Sequence, residues 1–228
     1  ELLSGSYRDD AMVRRAEGRD LKTEADREAE RTIVERLTPT GIPILSEETV
    51  RQPARDDGLR WIVDPLDGTM NFARRFGISA VSIALWARES PVLGVVFDLG
   101  RGAVYTAAVG VGAWRDSTPV RVSMTDTKAQ SILATGLPIA REYHDEALRS
   151  FFDRIRSFKK VRMIGSAAMS LALVADGTFD AYVEEDIMIW DVAAGLALVE
   201  AAGGACLVRA GHKEHTVIVA VTNGRFSL

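Results

Sequence analysis

The chain has 228 residues, 47% hydrophobic and 26% charged, the balance of an ordinary globular protein with length for one large domain or two small ones. A formal charge of −4, from 28 Lys+Arg against 32 Asp+Glu, argues against a broad nucleic-acid-binding face. The single cysteine, Cys206, excludes an internal disulfide framework and fits a reducing, cytoplasmic setting, and no apolar run approaches the ~20 residues of a membrane span.

A chain this long buries about 70% of its unfolded surface, so it needs neither a disulfide nor a metal merely to fold. No low-complexity tract, repeat or Pro/Gly/Ser linker divides it, and a single domain over residues 1–228 is expected. The opening residues do not read as a signal peptide. The first residue is Glu1 rather than methionine, and N-terminal residues are expected to be missing.

In chain order, an amphipathic helix is predicted over Glu24–Leu37, with Ala25, Ala29, Ile33 and Leu37 at helical spacing. Thr23-Glu24-Ala25-Asp26 reads as a capping box with Asp in place of Glu. Ile42–Ser46 is a short buried strand delivering Glu47 and Glu48, and Trp61–Val63 is another, ending at Asp64-Pro65. Alternation over Ser79–Trp86, Val92–Phe97 and Ala103–Thr106 predicts an antiparallel meander, punctuated afterwards by Gly110, Gly112 and Pro119. A helix over Glu142–Ser157, a strand over Val161–Ile164 and a small-residue helix over Ser166–Ala175 follow. Phe179–Val183 is a strand ending in Glu184-Glu185-Asp186, and a helix over Val192–Ala202 stops at Gly203-Gly204. Strands Ala205–Val208 and Thr216–Val221 complete the order, and Cys206 lies in the first of them as a core residue. Interleaved helices and strands with several antiparallel neighbours predict a layered α/β or α+β domain rather than a purely parallel sheet.

The most informative segment is Trp61-Ile62-Val63-Asp64-Pro65-Leu66-Asp67-Gly68-Thr69. Two carboxylates three residues apart on a rigid turn can face one point, and oxygen-only ligands there suit a hard cation such as Mg2+. A helix start at Thr69 would favour a phosphate. The competing reading is that Asp, Pro and Gly simply make the turn. Similarly, Asp191 can be a helix N-cap, and Glu47 and Glu48 can be solvated loop acids. Taken together, three acidic clusters at the ends of buried elements imply convergence in one cleft around metal. His212-Lys213-Glu214-His215 lacks the Glu placement of His-Glu-x-x-His, and His144 also lies far from the acids, so zinc is disfavoured.

Asp64-Pro65-Leu66-Asp67-Gly68-Thr69-Met70-Asn71-Phe72 resembles the first signature of the inositol monophosphatase family, and Trp190-Asp191-Val192-Ala193-Ala194-Gly195 the second. Glu200–Gly204, Ser46-Glu47-Glu48-Thr49 and Asp20–Asp26 match further family segments in the same order. The similarity covers nearly the whole chain, and the paired signatures at this separation are specific. It implies an α-β-α-β-α sandwich, Mg2+-dependent hydrolysis of a small phosphate monoester, a homodimer and lithium sensitivity. Glu47, Asp64 and the Leu66 carbonyl would hold one Mg2+; Asp64, Asp67 and Asp191 a second; Glu47 would contribute to a weaker third. Thr69, paired with Asp26, would orient and deprotonate the attacking water, with helix capping as the competing role of Asp26. Phosphate would meet Gly68 and Thr69, Gly165-Ser166-Ala167 would border the substrate, and Glu184 would bind its hydroxyls.

Departures are local. Glu1–Glu17 is shorter than the first helix usual in the family, the Gly-x-Pro-Phe turn is replaced by Gly211-His212-Lys213, and Glu185 and Asp186 make the rim beside Glu184 more acidic. That rim keeps histidinol phosphate open beside inositol 1-phosphate; fructose 1,6-bisphosphate and 3′-phosphoadenosine 5′-phosphate share the signatures. Asp-x-x-Asp is not the Asp-x-Asp of haloacid-dehalogenase-type phosphatases, and no Gly-x-x-x-x-Gly-Lys-Ser/Thr is present. A non-catalytic phosphate- or metal-binding protein is the alternative from another class.

Overall fold

The computed structural model describes residues 13–17, 20–49, 58–137 and 145–228. Strands β1 (Val13–Glu17) and β2 (Asp20–Thr23) form an antiparallel hairpin. Residues 13–17, expected within the stub of a first helix, are therefore strand, their backbone groups paired across the hairpin. Helix α1 (Glu24–Leu37) follows directly and turns Ala25, Asp26, Ala29 and Glu30 inward.

Seven strands form the larger sheet: β3 (Ile44–Ser46), β4 (Leu59–Asp67), β5 (Ala80–Ala87), β6 (Ser90–Asp98), β7 (Ala103–Ala108), β8 (Gly112–Arg115) and β9 (Thr118–Pro119). They lie in sequence order, and only the β3–β4 pair is parallel. The one-turn helix α2 (Thr69–Ala73) leaves the end of β4. The second sheet comprises β10 (Ile132–Thr135), β11 (Lys160–Arg162), β12 (Ala181–Met188), β13 (Ala205–Ala210) and β14 (Thr216–Thr222), ordered β11-β10-β12-β14-β13. Here β10 runs parallel to both neighbours and the remaining pairs are antiparallel, so both sheets are mixed.

Helices α4 (Ala167–Ala175) and α5 (Ile189–Ala201) lie between the sheets, apolar nearly all round because both flanks are covered. A core of Trp86, Val96, Leu171, Leu196, Tyr182 and Val219 joins sheet, helices and sheet. Outside the larger sheet, Ala25 and Ala29 of α1 pack on Leu66 and Leu99. Outside the smaller sheet, Ile155 of α3 (Asp145–Ile155) and Phe158 cover Leu133, Ala181 and Val183. The alternating α and β layers implied by the sequence are thus present. Among the described residues no helix is long and apolar enough to cross a membrane.

Two strands expected to stop at acids instead run through them. β4 continues through Pro65 to Asp67, because one extra residue enters between the pairs Asp64–Ser82 and Asp67–Ala80. β12 continues through Glu184-Glu185-Asp186 to Met188, with the same irregularity between Glu184–Val219 and Ile187–Val217. Bulges of this kind accommodate residues that a regular ladder rejects and redirect side chains, and they recur beside active sites. Asp191 is not the N-cap of α5; Met188 is, and Asp191 lies in the first turn. Cys206 is half-buried against the main core, its thiol pushed up to about 12 by burial.

Candidate active site

The parallel register of β3 and β4 places Ser46 beside Val63, and the Glu47 N–H donates to the Val63 carbonyl at 3.2 Å. Glu47 therefore leaves its strand next to Asp64. From α1, buried Glu30 accepts the Thr49 N–H at 3.1 Å and its hydroxyl at 2.5 Å, tethering the segment that carries Glu47.

The β4 bulge then arranges Asp64 to Thr69. Buried Asp64 accepts the Leu66 N–H on Oδ1 at 2.9 Å. Thr69 Oγ1 stands 3.1 Å from Asp26 Oδ1 and 3.0 Å from the Leu66 carbonyl, so its one proton has two acceptors. Asp26 thus faces Thr69 across the gap between α1 and β4, buried to 1% exposure. Gly68 has φ 80°, and a Cβ there would press on the Gly165 and Ile78 carbonyls at 3.1 Å, so the turn requires glycine.

Asp67 points to the start of α4. Its Oδ2 accepts the Ala168 N–H at 2.9 Å and the Ser166 hydroxyl, and its Oδ1 the Ala167 N–H at 3.3 Å. The Gly165-Ser166-Ala167 segment therefore meets Asp67 directly. Asn71 fastens the same junction, its Nδ2 lying 2.9, 2.7 and 3.2 Å from the Ile78, Ile164 and Gly165 carbonyls. From the second sheet, Glu184 accepts the buried Tyr182 hydroxyl at 2.6 Å. Glu184 also lies flat against Gly136 at the end of β10, where any Cβ would strike its carboxylate.

Electrostatics show that these acids share one region. Burial, then Glu47, Asp67 and Asp191, hold Asp64 well above the usual carboxylate range. Burial, then Glu47, Asp67 and Glu184, do the same to Asp191, opposed by a hydrogen bond with Asp64. Burial pushes Asp67 up to about 6 against its donors from Ser166, Ala168 and Ala167. Burial, helped by Asp67 and opposed by Tyr182, pushes Glu184 up to about 7.

Glu47, Asp64, Asp67 and Asp191, which disfavour one another's charge, fit a hard divalent cation chemically: all donors are oxygen, and a cation would offset the charge they share. Among the described residues, no three His, Cys, Asp or Glu side chains already converge as a cation cage. Asp67 is turned to α4 and one Asp64 oxygen to Leu66, so closing on a cation requires these carboxylates to reorient.

Metal-free protein should lose stability as pH rises from about 4 to about 7. Asp67 rises from the ordinary side-chain value of 3.8 to about 6 on folding, and Glu184 from 4.5 to about 7, so the folded form binds more protons across that window. The stabilisation is complete below the lower values and disappears as pH passes the upper ones. A fall of about 10–20 °C in Tm is expected by calorimetry in EDTA between pH 4.5 and 7.5. Saturating Mg2+ should flatten the slope; a flat or rising profile in EDTA would contradict the charge cluster.

The sequence model of the inositol monophosphatase family matches residues 1–225. The chain belongs to the inositol monophosphatase family. It is 40% identical over 189 residues to an inositol-1-monophosphatase of Synechocystis sp., covering 81% of this chain and 66% of that relative, just under two thirds of its length. It is 33% identical over 209 residues to the Nus factor SuhB of Pasteurella multocida, covering 90% of this chain and 78% of the relative. Among solved structures, an inositol monophosphatase from Anabaena sp. superposes with a TM-score of 0.80 at 35% identity, over 88% of this chain and 82% of that one. Members of the inositol monophosphatase family are phosphoric monoester hydrolases, generally metal-dependent.

Glu47, Asp64, Asp67, Glu184 and Asp191 interact in this region and Asp26 faces Thr69, whereas Glu185 and Asp186 turn to Arg154 and His212; His212 and His215 sit on the β13–β14 loop, and His144 is outside the described residues. Tyr182 and Gly136 have no place in the sequence-based site, and Asn71 enters it only as part of the first signature. Tyr182 was accessible, because it lies two residues from Glu184 and a strand places such pairs on one face. The Asn71 and Gly136 contacts form only between segments distant in sequence.

Proposed function

We propose that the protein is a cytoplasmic, Mg2+-dependent phosphomonoesterase that hydrolyses inositol 1-phosphate, or a closely similar polyol phosphate, to the free polyol and phosphate. The observation that carries this reading is the pair of bulges that brings Asp64 and Asp67 from one sheet into electrostatic contact with Glu184 and Asp191 from the other region of the fold. A homodimer, as in the sequence-based expectation, belongs to the same proposal.

Glu47, Asp64 and the Leu66 carbonyl would hold one cation; Asp64, Asp67 and Asp191 a second; and Glu47 would assist a third. Bound Mg2+ would neutralise the phosphate dianion and acidify the attacking water. Thr69 Oγ1, donating its proton to Asp26, would present a lone pair to accept the proton that this water gives up. Gly68 and Thr69 would contact phosphate, and Gly165, Ser166 and Ala167 would border the ester. Hydrolysis forms one bond from water oxygen to phosphorus and breaks the ester P–O bond, with the polyol oxygen taking a proton on departure.

Glu184 would face the polyol hydroxyls. With a pKa near 7 it offers both acceptor and donor forms at neutral pH, and Tyr182 and Gly136 fix its direction. Glu185 and Asp186, the basis for considering a cationic leaving group, are instead engaged by Arg154 and His212 at 2.8 and 2.9 Å. This favours a neutral polyol over histidinol phosphate.

A panel of inositol 1-phosphate, histidinol phosphate, fructose 1,6-bisphosphate and 3′-phosphoadenosine 5′-phosphate with saturating Mg2+ tests the reading. The highest kcat/KM is expected for inositol 1-phosphate. Preference for another ester would change the substrate and keep the reaction; no release from any would favour a binding protein.

A further inference from the structure

The polar loop Gly211–His215 between β13 and β14 carries two histidines without a zinc pattern, yet it braces both acidic elements of the site. The His215 carbonyl accepts the Ile189 N–H at 2.9 Å, and its ring lies 5.8 Å from that of Trp190, beside Asp191. The contact with β12 is more unusual. Asp186 is the left-handed residue of the bulge, with φ 57° and 6% exposure. Glycine takes that conformation freely and most side chains resist it. Here the side chain is clipped: the His212 N–H donates to Oδ1 at 2.7 Å, and the imidazole Nδ1 lies 2.9 Å from both carboxylate oxygens.

Three consecutive acids thereby face three ways. Glu184 receives Tyr182, Glu185 receives Arg154 of α3 at 2.8 Å, and Asp186 receives the loop. Since the bulge sets where Glu184 leaves the strand, its anchor controls where that carboxylate points.

We infer that Asp186 and His212 form a positioning clip for Glu184, which sets recognition of the hydroxyl-bearing part of the ester and leaves the chemistry at phosphorus alone. The inference rests on the proposed contact of Glu184 with those hydroxyls.

Asp186→Gly keeps the left-handed backbone and removes only the clip. In the full chain with saturating Mg2+, KM for inositol 1-phosphate should rise about five- to tenfold, the scale of one well-placed hydrogen bond. Its kcat should stay within about twofold, as should both constants for p-nitrophenyl phosphate, which has no polyol hydroxyl. His212→Ala should reproduce this pattern, and the double variant should be no worse than either single one. His212→Asn, with an amide N–H for Asp186, should recover part of the loss.

Equal effects on both esters, no effect, or additive effects would overturn the clip. Glu184→Ala separates the two layers of the proposal. If it leaves KM for inositol 1-phosphate unchanged, the Glu184 contact and the clip fall together. If it raises KM while Asp186→Gly and His212→Ala do not, the clip alone falls.

Discussion

Replacing Asp64 with asparagine is expected to cut Mg2+-dependent phosphate release by about 10³-fold or more, the loss of several kcal/mol of charge stabilisation at roughly 1.4 kcal/mol per factor of ten. The same change is expected to raise the Tm of metal-free protein by about 3–6 °C. The two effects have one cause. Asp64 is buried, and Glu47, Asp67 and Asp191 all disfavour its charge. Asparagine has the same shape, can still accept the Leu66 N–H through its carbonyl oxygen, and adds no charge to the cluster. Phosphate release and calorimetry in EDTA on one preparation check both halves. Activity within tenfold of the parent would remove Asp64 from the site, and a lower Tm would show that its charge is satisfied by the fold itself.

Thr69→Ala should lower kcat by about 10²–10³-fold, the usual contribution of a positioned proton acceptor, with little change in the Mg2+ concentration that gives half-maximal rate. The hydroxyl touches Asp26 and the Leu66 carbonyl, whereas the residue follows a turn set by Gly68. Losing the hydroxyl therefore removes a proton acceptor without rebuilding the turn. Thr69→Ser retains the hydroxyl and should keep most of the rate. A matched fall for Ser and Ala would point to the methyl group and packing, and an unchanged rate for Ala would remove Thr69 from the chemistry.

One part of the candidate site is legible in the chain because its residues are closely spaced. Asp64, Asp67 and Thr69 lie at the bulged end of β4 and the start of α2, so local order alone makes them neighbours. Asp26 was harder: its pairing with Thr69 spans 43 residues, and only the packing of α1 on β4 distinguishes it from a helix cap. The strand ends were misjudged for a physical reason. Proline and runs of acids normally terminate a strand, but a bulge lets β4 absorb Pro65 and β12 absorb Glu184–Asp186. β10 has no sequence signature because four residues, Ile132–Thr135, are too few to show a period, although their strand is flanked on both sides. The short β8 and β9 escaped for the same reason.

The acids are supplied from both sides of the layered core: Asp64 and Asp67 by the larger sheet, Glu184 by the smaller, Asp191 by the helix between. Neither sheet holds a complete set. Packing at Leu171, Leu196 and their small neighbours in α4 and α5 consequently sets the spacing of these acids as well as the cohesion of the interior. A change of side-chain volume there is therefore expected to shift the acids relative to one another as well as to loosen the interior.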